Sequence, residues 1–381
     1  MTLWPFFILV VVYGACIGSF LNVVMIRMPA GISLVRPPST CPRCGSRLAW
    51  HDNLPVIGWL MLRGRCRMCK DSISIQYPLV EAATAALFGL TFGCYYLLET
   101  RSGFADAGLA ATWPVFLVHL VLVAGLLAAT VIDARLYIIP LDIPNTVTVV
   151  ALIGLPATAL WLPEAEAVLP RARGPWLAAA AGGLLGLLFS YVLLRRGRLP
   201  RSFDDEPMDD HEYSGPDEWP VHPHPRREIL KECLFVAWPF AGAVLGQALA
   251  VKFGWSNIEV PLPWQVAGGV AWGYLCGAAL VWTVRILGTL GFGKEAMGLG
   301  DVPLLAAIGA VLGGLDAAVV FFIAPFIGLA ATALIAGVGR MIRGQVRVVP
   351  YGPYLASAAF VWMILSTPLG DAFGILFGWP E

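Results

Sequence analysis

Ten apolar stretches of membrane-spanning length or nearly so follow one another along the chain, near residues 4–26, 79–98, 113–132, 146–163, 176–194, 233–251, 265–287, 302–314, 317–338 and 350–370. A window of about 20 apolar residues is long enough to cross the hydrocarbon layer as a helix. Backbone groups in that layer must bond to one another, which leaves only helices and closed barrels. The reading is therefore an all-α polytopic membrane protein with about ten transmembrane helices. Composition agrees: 58% of the 381 residues are hydrophobic and 13% charged, against about 25% charged in soluble domains. Zero net charge gives no bulk attraction to nucleic acid, and none is expected as a partner; the lipid bilayer is. The first stretch lacks a basic n-region and a clear cleavage site, so it is expected to stay as a span.

The basic residues orient the spans. With the N-terminus outside, 21 of the 25 Lys and Arg fall in inner segments, and only Arg101, Arg171, Arg173 and Lys252 fall in outer ones. Such a bias marks the cytoplasmic side. It places both termini outside and requires an even number of spans. The chain then divides into a first span at 1–27, an inner loop at 28–78, membrane helices at 79–194, a second inner loop at 195–232 and membrane helices at 233–381. The second loop is polar and proline-rich with an acidic middle, a composition that cannot bury a core and reads as flexible. Its His211, His222 and His224 are candidate metal ligands, and a solvated loop accounts for them equally.

The first inner loop carries Cys41-x2-Cys44 and Cys66-x2-Cys69, with positions 45–65 between the pairs. Two such knuckles suit one tetrahedral zinc held by four thiolates, a structural site with no open coordination position. Gly45 and Gly64 are available for the sharp turns. A pair of disulfides is the alternative, and a reducing cytoplasm disfavours it. Cys16, Cys94, Cys233 and Cys276 fall in or beside apolar stretches and read as packing.

Carboxylates at membrane depth are costly, and each is a candidate functional group. Asp133 lies at the inner end of the third span, in "VIDARLYIIP", and Asp301 opens the eighth, in "GLGDVPLLAAIGA". Both fall at the same depth although they are far apart in sequence. Two adjacent carboxyls share a proton; one then takes a proton from water while the other polarises a carbonyl, which is aspartic-protease chemistry. Gly298 and Gly300 would let the chain turn sharply and a peptide backbone approach. The bland reading makes Asp301 a helix cap and Asp133 an interfacial end-residue. Asp142 and Glu81 compete for the place of partner.

These segments resemble the type IV prepilin peptidases, a family of GxGD-type intramembrane aspartic proteases. The resemblance rests on "GACIGSFLNVVMIRMP", the cysteine loop with the following "ISIQYPLVEA", "VIDARLYIIP", "MGLGDVPLLAAIGA" and "VPYGPYLA". It implies cleavage of the charged leader of type IV prepilins or type II secretion pseudopilins after a glycine, at the cytoplasmic face of the inner membrane. Methylation of the new N-terminus with S-adenosylmethionine then follows in many members. It also implies Asp133 and Asp301 as the catalytic pair, Cys41, Cys44, Cys66 and Cys69 as zinc ligands, and Glu81 as a supporting residue. Three features depart from the family pattern. Pro303 stands where the family usually has Lys, Leu141 stands where it often has Asp, and the 195–232 loop with two further spans exceeds the usual size. Other function classes are a peptidase without methyltransferase activity, a proton-relay transporter, and a non-catalytic scaffold of an export machine. A relay would string carboxylates through the span centres, which lack them.

Overall fold

The computed structural model describes residues 3–203, 224–255, 258–342 and 350–377, with the side chains of 335–342 and 372–377 excepted. The acidic middle of the second inner loop, with His211 and His222, lies outside the described residues.

Every predicted span is a helix. The long ones are α1 (Trp4–Arg27), α3 (Gln76–Tyr96), α5 (Leu109–Leu136), α6 (Asp142–Trp161), α7 (Pro175–Arg195), α8 (Pro225–Lys252), α9 (Leu262–Phe292), α11 (Gly314–Ile342) and α12 (Tyr351–Phe377). Among the described residues these nine are long and apolar enough to cross a membrane. The tenth apolar helix, α10 (Asp301–Leu312), has 12 residues, about 18 Å of helix at 1.5 Å per residue. Two short helices complete the set: α2 (Ile57–Met61) in the first inner loop and α4 (Phe104–Ala107) after α3. The boundary at 233 moves: α8 begins at Pro225, where proline fits the first turn of a helix. Residues 225–232 are therefore helix and not loop.

α10 is the hub of the bundle. It touches α5, α6, α9, α11 and α12, and nearly every residue along it is buried. Its closest neighbour is α9, where Gly309 meets Gly273 and a Cβ on either would overlap the other's backbone. Small residues let membrane helices approach this closely. Gly313 ends α10 at φ +108, a conformation glycine adopts without strain.

At the far end of α10 the connecting segments sink into the bundle. Phe104 and Ala165 are fully buried, with Leu169 and Ala172 nearly so. Pro170 reaches Gly269 of α9 and comes near Gly313. Arg101 pairs with Asp316 at the start of α11 and donates to the Met363 carbonyl of α12. This layer roofs α10, which is why a helix shorter than the hydrocarbon thickness suffices there. α7 and α8 pack chiefly on each other and on α9, at the edge of the bundle.

Candidate functional site

At the opposite end, α5 runs past the predicted boundary of 132 and carries Asp133 in its last turn. Tyr137 closes that helix in the left-handed region, its N–H donating to the Asp133 carbonyl at 2.9 Å. The chain then turns through Ile139 into α6. Asp301 is the first residue of α10, with Gly300 as its cap residue, so Asp301 is not the N-cap. Both carboxyls are buried, Asp133 at 5% and Asp301 at 6% exposure. They line one cavity of about 1440 Å³ together with Lys294, Gly298, Phe322 and Tyr351, and they lie close enough to act electrostatically on each other.

The glycines explain how each acid is held on the cavity wall. The Gly352 N–H, in the first turn of α12, donates to the Asp133 carboxylate. A Cβ on Gly352 would overlap Asp133 Oδ2, so only glycine lets the backbone come this near. The Gly298 N–H donates to the Asp301 carboxylate. Gly300 packs against Ile139, and a Cβ there would stand 3.1 Å from that side chain. The 137–141 turn, the 293–300 turn and the start of α12 thus close on one another around the two acids. In sequence "VPYGPYLA" is only a family segment; in the structure its Gly352 belongs to the site. Asp142 opens α6 as an exposed residue and does not line the cavity. Glu81 is elsewhere: its carboxylate accepts the Val56 N–H at 2.6 Å and a bond from Ser19.

One group escapes the sequence reading altogether. Arg285, counted there as an inner-segment charge, lies in α9 and is 1% exposed. Its guanidinium grips Glu232 of α8 at 2.9–3.1 Å. It also bonds Glu295 at 2.5 Å and the Met297 carbonyl. The Trp282 indole N–H and the Ser202 hydroxyl donate to Glu232 as well. Phe203 stacks its ring 5.0 Å from the guanidinium. Arg285 therefore pins the turn that delivers Asp301. A lone Arg before a polar loop carries no such signal in sequence, because the acid that binds it sits on a different helix, well upstream.

The four knuckle sulfurs all lie within 4.8 Å of one another, with Cys41 and Cys69 3.8 Å apart. Four ligands at about 2.3 Å from a tetrahedral ion stand about 3.8 Å apart, so the cluster fits a metal ion. The two knuckles are built alike. The Cys41 N–H bonds the Ser46 carbonyl and the Cys66 N–H bonds the Asp71 carbonyl. Isolated antiparallel bridges close each one, Thr40 to Arg47 and Arg65 to Ser72. Gly45 makes the first positive-φ turn as expected, whereas Lys70 makes the second. Gly64 instead leads into the second knuckle, packed against Trp59. Hydrogen bonds from Ser46 lower the Cys44 thiol to about 6, which favours the thiolate a metal requires.

Residues 12–95 match the model of the bacterial peptidase A24 N-terminal domain. Several relatives carry the name prepilin leader peptidase/N-methyltransferase, three of them as follows. The Myxococcus xanthus protein is 44% identical over 150 residues, 39% of this chain and 40% of the relative. The Klebsiella pneumoniae protein is 38% identical over 42% of this chain and 66% of the relative. The Dickeya chrysanthemi protein is 28% identical over 96% of this chain and 92% of the relative. The chain thus spans 40% and 66% of the first two relatives and nearly the whole of the third. No solved structure matches.

Proposed function

Because the chain belongs to the family of bacterial prepilin leader peptidase/N-methyltransferases, we propose that this multi-pass membrane protein cleaves the leader of prepilins or pseudopilins, with Asp133 and Asp301 as the catalytic pair. The observation that carries this is the meeting of two buried carboxyls, from distant parts of the sequence, on the wall of one cavity. One acid ionised and the other protonated would divide the work. The ionised carboxylate takes a proton from water as the water attacks the scissile carbonyl. The protonated one donates to the carbonyl oxygen, and the tetrahedral intermediate collapses with return of a proton to the leaving amine. Gly298 and Gly352 hold the two carboxyls through backbone N–H groups, which fixes their geometry without spending side chains.

Four thiolates of Cys41, Cys44, Cys66 and Cys69 would hold one zinc as a structural staple. All four places are filled by sulfur, which supports a closed site that takes no part in the cleavage. The basic-residue bias supports an inner-membrane location with the acids at the cytoplasmic boundary and both termini outside. A prepilin then presents the junction of charged leader and apolar helix at the depth where the carboxyls lie.

The second activity comes to this chain through the family. A cavity of about 1440 Å³ exceeds the 300–1,000 Å³ of ordinary ligand pockets. It has room for S-adenosylmethionine beside the peptide end, and Lys294 on its wall would face the carboxylate of that methyl donor. Pro303 favours the narrower reading, a peptidase alone. It sits in the first turn of α10, where no backbone N–H is needed, and it stands where the family resemblance implies a lysine.

Purified protein incubated with a prepilin decides the first reading. Asp133→Asn and Asp301→Asn should each reduce cleavage by at least about 10²-fold with unchanged membrane insertion. Near-parental cleavage by either variant refutes the pair. Methyl transfer from labelled S-adenosylmethionine to the cleaved product separates the two-activity enzyme from the peptidase alone.

A further inference from the structure

The segment between the two knuckles, "WHDNLPVIGWLML" (50–62), has an apolar outer face. Its inner side is committed to the loop: the Trp59 indole donates to the Ile73 carbonyl at 3.1 Å, and Gly58 lies against the Asp52 backbone. Its outer side presents Ile57 at 56%, Leu60 at 60% and Met61 at 67% exposure. These positions, i, i+3 and i+4, share one helix face. Trp50 stands beside them at 79% exposure. The cavity of the two aspartates is lined from Asp133 onward, so this face is not part of its wall.

The depth of the segment follows from the helices it touches. Gly18 of α1 packs on Glu81 of α3, and Asn22 of α1 donates to the Tyr77 carbonyl at 3.1 Å. The two helices therefore run antiparallel in a fixed register. From Gly18, α1 continues nine residues to Arg27, about 13 Å of helix. Glu81 is likewise the sixth residue of α3. The Val56 N–H, bonded to Glu81 at 2.6 Å, is therefore tied close to the loop-side end of α3, since Glu81 lies within the first two turns of that helix and its side chain leans toward the helix start. Exposed Ile75 and Leu79 at the start of α3 continue the same apolar surface. On the other side Arg63 and Arg65 follow, both exposed. The loop holds seven Lys and Arg between residues 28 and 78 against Asp52 and Asp71.

We propose that residues 50–62 lie in the bilayer interface as an in-plane anchor. Trp50, Ile57, Leu60 and Met61 would sit at the boundary of headgroups and acyl chains, Arg63 and Arg65 against anionic headgroups, and Glu81 would tether the segment at that depth. An amphipathic helix with aromatic and basic flanks is the kind of element that binds this zone. The expectation of a wholly cytoplasmic 28–78 loop then changes: its knuckles face water and its middle returns to the membrane. The proposal is independent of the reaction.

Photo-crosslinking tests it. p-Benzoylphenylalanine is placed at Leu60, at Met61 and, as a solvent-facing control in the first knuckle, at Arg43. The full-length protein is reconstituted in phosphatidylethanolamine vesicles with and without phosphatidylglycerol, and zinc content checks that the loop is intact. Phospholipid adducts should form at 60 and 61 at least about fivefold above position 43 and rise with the anionic lipid. In Glu81→Gln they should fall. Adducts at 60 and 61 no higher than at 43 overturn the anchor. So does crosslinking that goes to added prepilin in place of lipid, which would make the face a substrate-docking surface.

Discussion

Arg285 is the largest side chain that the described bundle buries completely, and its partners decide what its loss would do. Removing one member of a buried ion pair leaves the other charge without compensation, at a cost of about 3–5 kcal/mol. Arg285→Met should therefore destabilise the protein in a thermal melt in detergent by about that amount, because Glu232 stays behind. Adding Glu232→Gln should recover part of the loss. Arg285→Lys keeps a charge but not the planar fork that spans Glu232, Glu295 and the Met297 carbonyl. At a temperature where it stays folded it should cleave more slowly, with a lower kcat, since the slack falls on the turn that delivers Asp301 and lines the cavity. An unchanged kcat in a folded Arg285→Lys protein would show that the turn holds its shape without it.

At the scale of elements, the cysteine loop and the short helix carry separate consequences. Cys41→Ser or Cys66→Ser should release about one equivalent of metal per chain, measured by elemental analysis, since four thiolates make one tetrahedral site. Cleavage should fall less than in the aspartate variants, because the loop supports the bundle from outside the cavity. Zinc-free protein from a chelator-free preparation would refute the site. The spans and the knuckle spacing were legible in the sequence because hydropathy and cysteine spacing are local signals. So were the two acids, as charges out of place in an apolar chain. Besides Arg285, three features were not. The start of α8 at Pro225 hides in "HPRREILKECL", whose charges read as loop until Glu228 and Glu232 are seen turned inward. The role of Gly352 depends on an acid in α5, on a helix far earlier in the chain. The sunken segments around Phe104 and Ala165 are set by the shortness of α10, a length that only matters once α10 is known to be the centre.

At the scale of the whole molecule, the cavity of the two aspartates opens beside α11, where Phe322 is 64% exposed and Leu141, also on the cavity wall, is 60% exposed. On the proposed topology, the acids would be reached past these exposed apolar side chains from the side of the bilayer. Under the proposed function, a prepilin whose helix already lies in the bilayer would slide in sideways without first leaving it. The encounter would then be a search in two dimensions, governed by crowding within the sheet and not by molarity in the test tube. At fixed bulk amounts of enzyme and prepilin, extra phospholipid co-reconstituted with them should slow cleavage in proportion to the added area, whereas extra buffer should leave it unchanged. A rate that followed buffer volume would mean that the substrate arrives through water. If the planar search holds, a cell can set the pace of pilin maturation by how densely it packs the precursor into its membrane, with the enzyme itself left untouched.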